Sequence, residues 1–160
     1  MPKEITPCLW FDGRAEEALN FYISLFPNSK VLDISRWGEN GPGEPGTILT
    51  ADFELNGRQF QILNGGNAGF TFNESISLSV GCETQEEVNE LWDKLTADGG
   101  EESQCGWLKD KYGLSWQIYP AHIITLFKDP DTKKADAAMQ AMMKMSKIEL
   151  MTIQEAYDNA

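Results

Sequence analysis

The sequence contains few of the residues that build metal centres and disulfide frameworks. It has one histidine, His122, and three cysteines, Cys8, Cys82 and Cys105, among 160 residues. The cysteines show no CxxC spacing, so neither a zinc knuckle nor a disulfide framework is indicated. A single histidine excludes metal sites that need two histidines from one chain. The Walker motif GxxxxGK[ST] and the nucleophile motif GxSxG are also absent.

Basic residues are scarce as well. The 13 Lys and Arg stand against 25 Asp and Glu, which gives a formal charge of −12. Nucleic acids and anionic membrane surfaces are bound through basic patches, so neither is expected as a partner. No apolar run approaches 18 residues, and the start MPKEITPCLW lacks the pattern of a signal peptide. We therefore expect a cytoplasmic protein without a membrane-spanning segment.

The first half reads as a strand, a helix and three further strands. Residues 5–11 form a strand pattern, and apolar residues at helical spacing between Ala15 and Phe26 predict an amphipathic helix. Strands follow over 31–37, 47–55 and 58–63, and Asn56-Gly57 between the last two is a strong hairpin signal. The first half is thus predicted as a βαβββ module.

The second half repeats this plan. Residues 75–80 alternate between serines and apolar residues, Thr84 to Glu87 form a capping box, and a helical stripe follows. Strands are predicted over 105–109 and 114–119, with a weaker one between Gly100 and Cys105. A shift of 70 residues superimposes the apolar stripe of the first helix (Ala18, Tyr22 and Leu25) on that of the second (Val88, Trp92 and Leu95), which indicates an internal repeat.

The tail has a different composition. Residues 131–145 are predicted to be helical with a methionine-rich face, 147–151 to be a short extended piece, and 152–157 to begin another helical turn. Methionine-rich faces are adaptable packing surfaces. The sequence leaves two alternatives open: the helix packs on its own domain, or it reaches a second subunit.

Several separated segments together resemble a known family. In order, ITPCLWFDGRAEEALNFY, LFPNSKV, LNGG, FNESISLSV and CGWLKDKYGLSWQIYP are similar to the PhnB-like branch of the vicinal oxygen chelate superfamily, often described as 3-demethylubiquinone-9 3-methyltransferase. The superfamily also includes glyoxalase I, bleomycin-resistance proteins and extradiol dioxygenases. The resemblance covers about residues 3–120, but one fold of this kind hosts unrelated chemistries.

The resemblance implies an α+β fold in which two βαβββ modules form a cup-shaped open barrel. We expect one domain over residues 1–125, with modules at about 3–64 and 72–120, and a helical extension over 126–160. Members of the superfamily commonly form dimers, so a homodimer is expected, with the tail helix at or near the subunit contact. A ligand would bind inside the cup.

The resemblance also locates metal-ligand positions, one on the first and one on the last strand of each module. In this sequence they fall on Thr6 or Pro7, on Gln61, on Ser75 and on Gln117. The ligands in this superfamily are usually His, Glu or Gln. The side chains at these four positions are neutral and include no carboxylate and no imidazole, so they give a divalent cation little charge compensation. We therefore expect no catalytic metal and no cofactor.

Strand alternation predicts which residues line the cup. Aromatic walls with neutral polar groups suit a small polar or aromatic ligand, and the lining residues are predicted to be Cys8, Trp10, Gln61, Ser75, Ser77, Gln117 and Tyr119. Metal-independent binding of such a molecule is the leading hypothesis. The alternatives are an enzyme with a weakly held metal (a lyase, an isomerase or a methyltransferase) and a dimeric scaffold without a ligand. Whether the protein is an enzyme stays open.

Overall fold

A computed structural model describes residue 1 and residues 3–160. The chain divides into two compact units, Met1–Phe70 and Thr71–Ala160. Each unit contains one four-stranded mixed sheet with a helix packed on it. The predicted α+β class and the two βαβββ modules are confirmed. The boundary between the units lies between the two modules, and the predicted division at residues 125 and 126 stays a prediction.

The described residues of the first unit form β1 (Cys8–Phe11), α1 (Ala15–Leu25), β2 (Lys30–Arg36), β3 (Ile48–Leu55) and β4 (Arg58–Asn64). The strand order is β1-β4-β3-β2, with β1 parallel to β4 and the other pairs antiparallel. The hairpin at Asn56-Gly57 is confirmed, since both residues have positive φ, as a two-residue turn requires. Strand β1 begins three residues later than predicted.

Helix α1 packs on β3 and β4 through the predicted apolar stripe. Its side chains at Ala18, Leu19 and Tyr22 are almost fully buried, and Ile62 and Phe53 are buried on the sheet. On β3 and β4 the opposite face carries polar side chains such as Thr50, Asp52 and Gln61, whereas all residues of β2 are exposed. The one-sided burial follows from the period of two in each strand, which separates apolar from polar side chains.

The second unit repeats the plan with β5 (Ser77–Cys82), α2 (Gln85–Thr96), β6 (Glu101–Glu102), β7 (Trp107–Lys109) and β8 (Ser115–Pro120). The order β5-β8-β7-β6 matches that of the first sheet position by position, with β5 parallel to β8. The weak strand expected after Gly100 is present as β6. The predicted start of β5 is wrong by two residues, because Ser75 and Ile76 lie in the preceding turn and bend.

The glycine-rich loop between β2 and β3 contains the spacing GxGxxG at Gly41, Gly43 and Gly46. In dinucleotide-binding proteins this spacing opens a helix after a parallel strand. Here it leads into the antiparallel strand β3. Gly41 and Gly43 instead allow the loop to approach the Trp37 ring, since a Cβ atom at Gly43 would lie 2.2 Å from Trp37 Nε1. The loop therefore covers a tryptophan and does not form a dinucleotide site.

The tail folds onto the second unit as three helices: α3 (Ile123–Phe127), α4 (Thr132–Met142) and α5 (Leu150–Asp158). Their buried side chains form a cluster with Ile148. The backbone N–H groups of Cys105 and Gly106 donate to Met145 O and Ser146 O, both at 2.8 Å. The predicted extended piece over 147–151 is wrong at its end, since α5 begins at Leu150. None of the helices in the described part of the chain could span a membrane.

Candidate functional site

In the first unit, three predicted site residues share the sheet face that α1 does not cover, which we call the helix-free face. Cys8 and Trp10 are exposed there. Leu9 and Phe11, which alternate with them along β1, are buried on the helix side. Gln61 of β4 lies directly opposite Cys8 in the parallel pairing and is also exposed. Strand alternation therefore brings these three residues together.

The Trp10 side chain is held in one position. Its indole N–H donates to Gly66 O at 2.9 Å, and Phe70 contacts its ring edge-to-face with centroids 5.3 Å apart. Gly65 packs against the ring so closely that a Cβ atom there would lie 2.1 Å from it. The residue is nevertheless 37% exposed. Its polar N–H is satisfied, and part of a fixed aromatic surface faces solvent.

Cys8 is a protonated thiol at neutral pH. Partial burial raises its pKa above the ordinary value, and the carboxylate of Asp52 raises the pKa further. Asp52 lies opposite Gln61 on β3, so Cys8, Gln61 and Asp52 occupy one row across the sheet. Reasoning from sequence missed Asp52, although a two-residue hairpin at Asn56-Gly57 already fixes this register. A protonated thiol is a poor nucleophile and a poor metal ligand.

In the second unit, predicted residues meet on the helix-free face of the other sheet. The amide Nε2 of Gln117 donates to Ser77 Oγ at 2.9 Å, and Ser79 Oγ donates to Tyr119 Oη at 3.5 Å. Trp116 and Ile118, which alternate with Gln117 and Tyr119 on β8, are buried on the helix side. The predicted alternation of β8 is confirmed, and its polar residues pair with serines of β5.

Ser75 lies apart from this face. It is exposed in the turn before β5, where its backbone N–H and its hydroxyl both donate to Asn73 Oδ1. The sequence contains a regular serine alternation from 75 to 79, which predicts a longer strand than the one that forms. The short-range Asx interaction with Asn73 stabilises a turn at Ser75 in place of a strand.

A cavity of about 250 Å³ lies on the helix-free face of the second sheet. It is lined by residues that the sequence analysis did not select as site residues: Glu74, Ser103, Trp107, Leu108, Lys109 and Ser115. Lys109 forms an ion pair with Glu74 at 2.5 Å. The hydrogen bond between them raises the pKa of Lys109 and holds the pKa of Glu74 below its usual range. Both groups are therefore charged at neutral pH.

The strand pairings show which side chains stand beside the two glutamines expected as ligands. Cys8 pairs with Gln61, whose backbone N–H donates to Pro7 O at 2.8 Å, and Ser79 pairs with Gln117. All four side chains are uncharged at neutral pH and give a divalent cation little charge compensation. Among residue 1 and residues 3–160, no group of three or more His, Cys, Asp or Glu side chains is arranged to hold a metal ion. The donor set therefore does not suit a tightly bound divalent metal.

Comparison with known proteins places the chain in a family. The family model described as 3-demethylubiquinone-9 3-methyltransferase matches residues 3–119. The PhnB protein from Bacillus cereus is 44% identical, with a TM-score of 0.69, and the alignment covers 73% of this chain and 99% of that one. The comparison with curated proteins finds no match.

Two more distant structures share the fold. A protein from Pseudomonas aeruginosa is 17% identical with a TM-score of 0.58, over 74% of this chain and 98% of that one. The second is the fosfomycin resistance protein FosX from Listeria monocytogenes, solved with Mn(II) and a dihydroxypropylphosphonic acid. It is 15% identical with a TM-score of 0.50, and the alignment covers 76% of this chain and 94% of that one. From the family model, the Bacillus cereus structure and the repeated βαβββ modules, the chain belongs to the PhnB-like family described as 3-demethylubiquinone-9 3-methyltransferase.

Proposed function

We propose that the protein binds a small polar or aromatic molecule without a metal ion. The observation that carries this proposal is the fixed and partly exposed ring of Trp10. A tryptophan whose N–H is already hydrogen-bonded offers its ring surface for stacking, and it loses little conformational entropy when a ligand binds. Ligand sites combine such apolar walls with a few polar groups that orient the ligand.

Neutral hydrogen-bonding groups on each of the two sheets, taken separately, support the same proposal. In the first unit Cys8 and Gln61 lie on the face that carries Trp10. In the second unit the helix-free face carries Ser77, Gln117 and Tyr119. Amides and hydroxyls both donate and accept hydrogen bonds, so they suit a ligand with mixed polar edges. Ser75 stays a predicted site residue, although it lies in a turn and not on this face.

The metal-independent part of the proposal rests on the chemistry of the donors. Gln61 and Gln117 supply amide oxygens, and the raised pKa of Cys8 keeps its thiol protonated. Activation of water or stabilisation of an enediolate by a metal requires an ion that the protein holds firmly. FosX was solved with Mn(II), so a metal titration is a necessary part of the test.

The experiment is a thermal-shift and tryptophan-fluorescence screen with aromatic and heterocyclic compounds. A compound that raises the unfolding temperature of the intact chain should bind about two- to tenfold more weakly to Trp10→Ala, because aromatic contacts are worth about 0.5–1.5 kcal/mol. Phe21→Ala is the matched control, since Phe21 lies on α1, which packs on the opposite face of this sheet. Equal weakening by both substitutions would contradict the assignment of Trp10.

A metal arm completes the test. Treatment with EDTA should leave ligand binding unchanged, and Mn(II), Ni(II) or Zn(II) should not shift the unfolding temperature. Stoichiometric metal that is lost in Gln61→Ala, with an activity that metal restores, would overturn the proposal in favour of an enzyme. If neither metals nor compounds change the unfolding temperature, the scaffold alternative gains instead.

We also propose that the protein is a cytoplasmic homodimer with the tail near the subunit contact. Superfamily members are commonly dimeric, and two methionines of the tail, Met143 and Met151, are 57% and 70% exposed. Light scattering after size exclusion should give the mass of a dimer for the native chain and of a monomer for Met143→Lys/Met151→Lys. An unchanged dimer mass in the double variant would refute this contact.

A further inference from the structure

The cavity beside β7 and β8 contains a buried polar group without a partner. Ser115 is fully buried, and its Oγ finds no hydrogen-bond partner among the residues that the structure describes. Buried polar side chains in folded proteins are nearly always hydrogen-bonded, and an exception calls for an explanation. Ser115 lines the cavity, so a ligand can supply the partner once a neighbouring side chain moves and exposes the hydroxyl.

The walls of the cavity are suited to a flat molecule of one ring. Trp107 is half-buried and lies on the same sheet face as Ser115, since Trp107 pairs with Gln117 and Lys109 pairs with Ser115. The volume of about 250 Å³ is below the range of drug-sized pockets, which begins at about 300 Å³. It exceeds the roughly 150 Å³ of an apolar cavity known to bind benzene.

The charges at the rim disfavour an anion. Glu74 forms an ion pair with Lys109, and Glu101 of β6 lies opposite Lys109 across the sheet. The charge of Lys109 is therefore already compensated, and a second carboxylate stands beside the pair. The whole chain carries a formal charge of −12, which further opposes the approach of an anion.

The rim is also the part of the cavity that can move. The side chains of Lys109 and Glu74 are 36% and 60% exposed. Ion pairs at this exposure hold weakly, because water screens them and both side chains lose rotamer freedom in the pair. Displacement of the Lys109 side chain would open the way to Ser115, its neighbour across β7 and β8.

We propose that this cavity binds a small, neutral, planar molecule whose amide- or phenol-type group forms a hydrogen bond with the Ser115 hydroxyl while its ring lies against Trp107. This inference rests on the proposed function and names its ligand class for the second unit. The Ser115 hydroxyl accepts or donates one hydrogen bond, and the Glu74–Lys109 pair stays ionised at the rim.

The test uses benzamide as the probe on the full-length ¹⁵N-labelled chain. We expect saturable chemical-shift changes at the amides of Trp107, Lys109 and Ser115, and at least fivefold weaker binding of benzoate, which has the same size and a negative charge. Absence of saturable binding by benzamide up to its solubility limit, or equal affinity for benzoate, would overturn the inference.

The decisive variant is Ser115→Ala. This substitution should weaken the binding of benzamide about three- to tenfold, because one neutral hydrogen bond is lost. The affinity for toluene, which forms no such bond, should stay unchanged. The unfolding midpoint of the free variant should be equal to or above that of the native chain, because the hydroxyl contributes no bond within the described protein. Ser35→Ala, an exposed serine of β2, is the control.

Two results would contradict the assignment of Ser115. Native affinity of Ser115→Ala for benzamide would show that the hydroxyl does not contact the ligand, and a clear destabilisation of the free variant would show that the hydroxyl has a structural partner. In either case, if other compounds bind in a way that depends on Trp10, the proposed function still holds. Failure of the Ser115 inference can therefore be distinguished from failure of the proposed function.

Discussion

At the scale of single residues, buried polar side chains organise the turns that hold each module together. Asn64 accepts hydrogen bonds from the backbone N–H groups of Gly13 and Ala15 and donates to Ile48 O at 2.9 Å. In the second unit the Asp110 carboxylate accepts from Tyr112 N, Leu114 N and the Trp116 indole. Sequence patterns place both residues in or beside turns, and they do not reveal these partners, because the partners of Asn64 are distant in the chain and Asp110 reaches past its own turn.

Replacement of Asn64 should therefore be costly. Asn64→Leu removes three hydrogen bonds and leaves backbone groups of the β1–α1 turn without partners, so we expect the free energy of unfolding to fall by about 2–4 kcal/mol. Urea unfolding measures this change. Asn67→Ala, an exposed asparagine with one local bond to Gly69, should stay within about 0.5 kcal/mol of the native protein. A similar small effect at Asn64 would contradict its structural role.

A buried thiol makes stability depend on alkaline pH. Burial, and to a lesser extent the Glu87 carboxylate, raise the pKa of Cys82 from 9.0 to about 11. The folded protein therefore holds this proton at pH values where the unfolded chain releases it. Stability is fully present below pH 9 and falls as the pH rises toward 11, by about 2–3 kcal/mol in total. Cys82→Val should lose this component of the pH dependence, as unfolding curves at pH 8, 9.5 and 11 would reveal. If the unfolding free energy of the variant falls with pH as steeply as that of the native protein, Cys82 is not the source of this dependence.

At the scale of elements, the sequence predicts those helices and turns whose position depends on residues close together in the chain. Helical spacing located α1 and α2, and Asn56-Gly57 located the β3–β4 hairpin, because these signals depend on neighbours in the chain. The weak strand β6 could be placed only through the internal repeat. Its position depends on tertiary contacts, since the Trp92 indole donates to Glu102 at 2.6 Å and Glu101 pairs with Lys109.

The sequence predictions failed where distant contacts decide the local structure. Helix α3 has five residues, too few to be stable without the cluster around Ile148 on which it packs. The alternation at Ile148 and Leu150 resembles a strand, but Gln85 binds the backbone at both residues and α5 begins at Leu150. Ser115 begins β8, and strand alternation cannot reveal that its buried hydroxyl has no partner among the described residues.

The cap of α2 is a local signal with a measurable energy. Thr84 Oγ1 accepts from Glu87 N at 3.2 Å, and the Glu87 carboxylate accepts from Glu83 N at 2.8 Å. Thr84→Ala should reduce the free energy of unfolding by about 1 kcal/mol, and Thr84→Ser, which keeps the hydroxyl, by much less. Chemical denaturation with an unchanged m-value is the measurement. Equal losses in the two variants would show that the hydroxyl does not cap the helix.

At the scale of the whole molecule, each unit applies one plan and adds its own chemistry to it. Both sheets have the same strand order, and in both a glutamine of the last strand lies beside the first strand. The first sheet adds a fixed tryptophan, and the second adds a cavity with a buried serine. One fold can host unrelated chemistries, so the fold does not identify the ligand, and the side chains on the helix-free faces must do so.

The tail is the largest departure from the repeat, and Gln85 connects it to the second module. Its amide donates to Ile148 O at 2.9 Å and accepts from Leu150 N at 2.8 Å. Nearby, the N–H groups of Cys105 and Gly106 bind the carbonyls of Met145 and Ser146. All four bonds are made by one segment of six residues, 145–150, so we expect this segment to attach to the second module cooperatively.

Gln85→Leu keeps the size of the side chain and removes both of its bonds to the tail. We expect native-state hydrogen exchange at the amides of Leu150, Cys105 and Gly106 to accelerate together, by about ten- to a hundredfold, which corresponds to about 1–3 kcal/mol. Gln154→Leu, which removes an exposed bond to Asp158 within α5, should leave Cys105 and Gly106 protected. If Gln85→Leu accelerates exchange at Leu150 alone, the segment detaches residue by residue and the tail is not held as one unit.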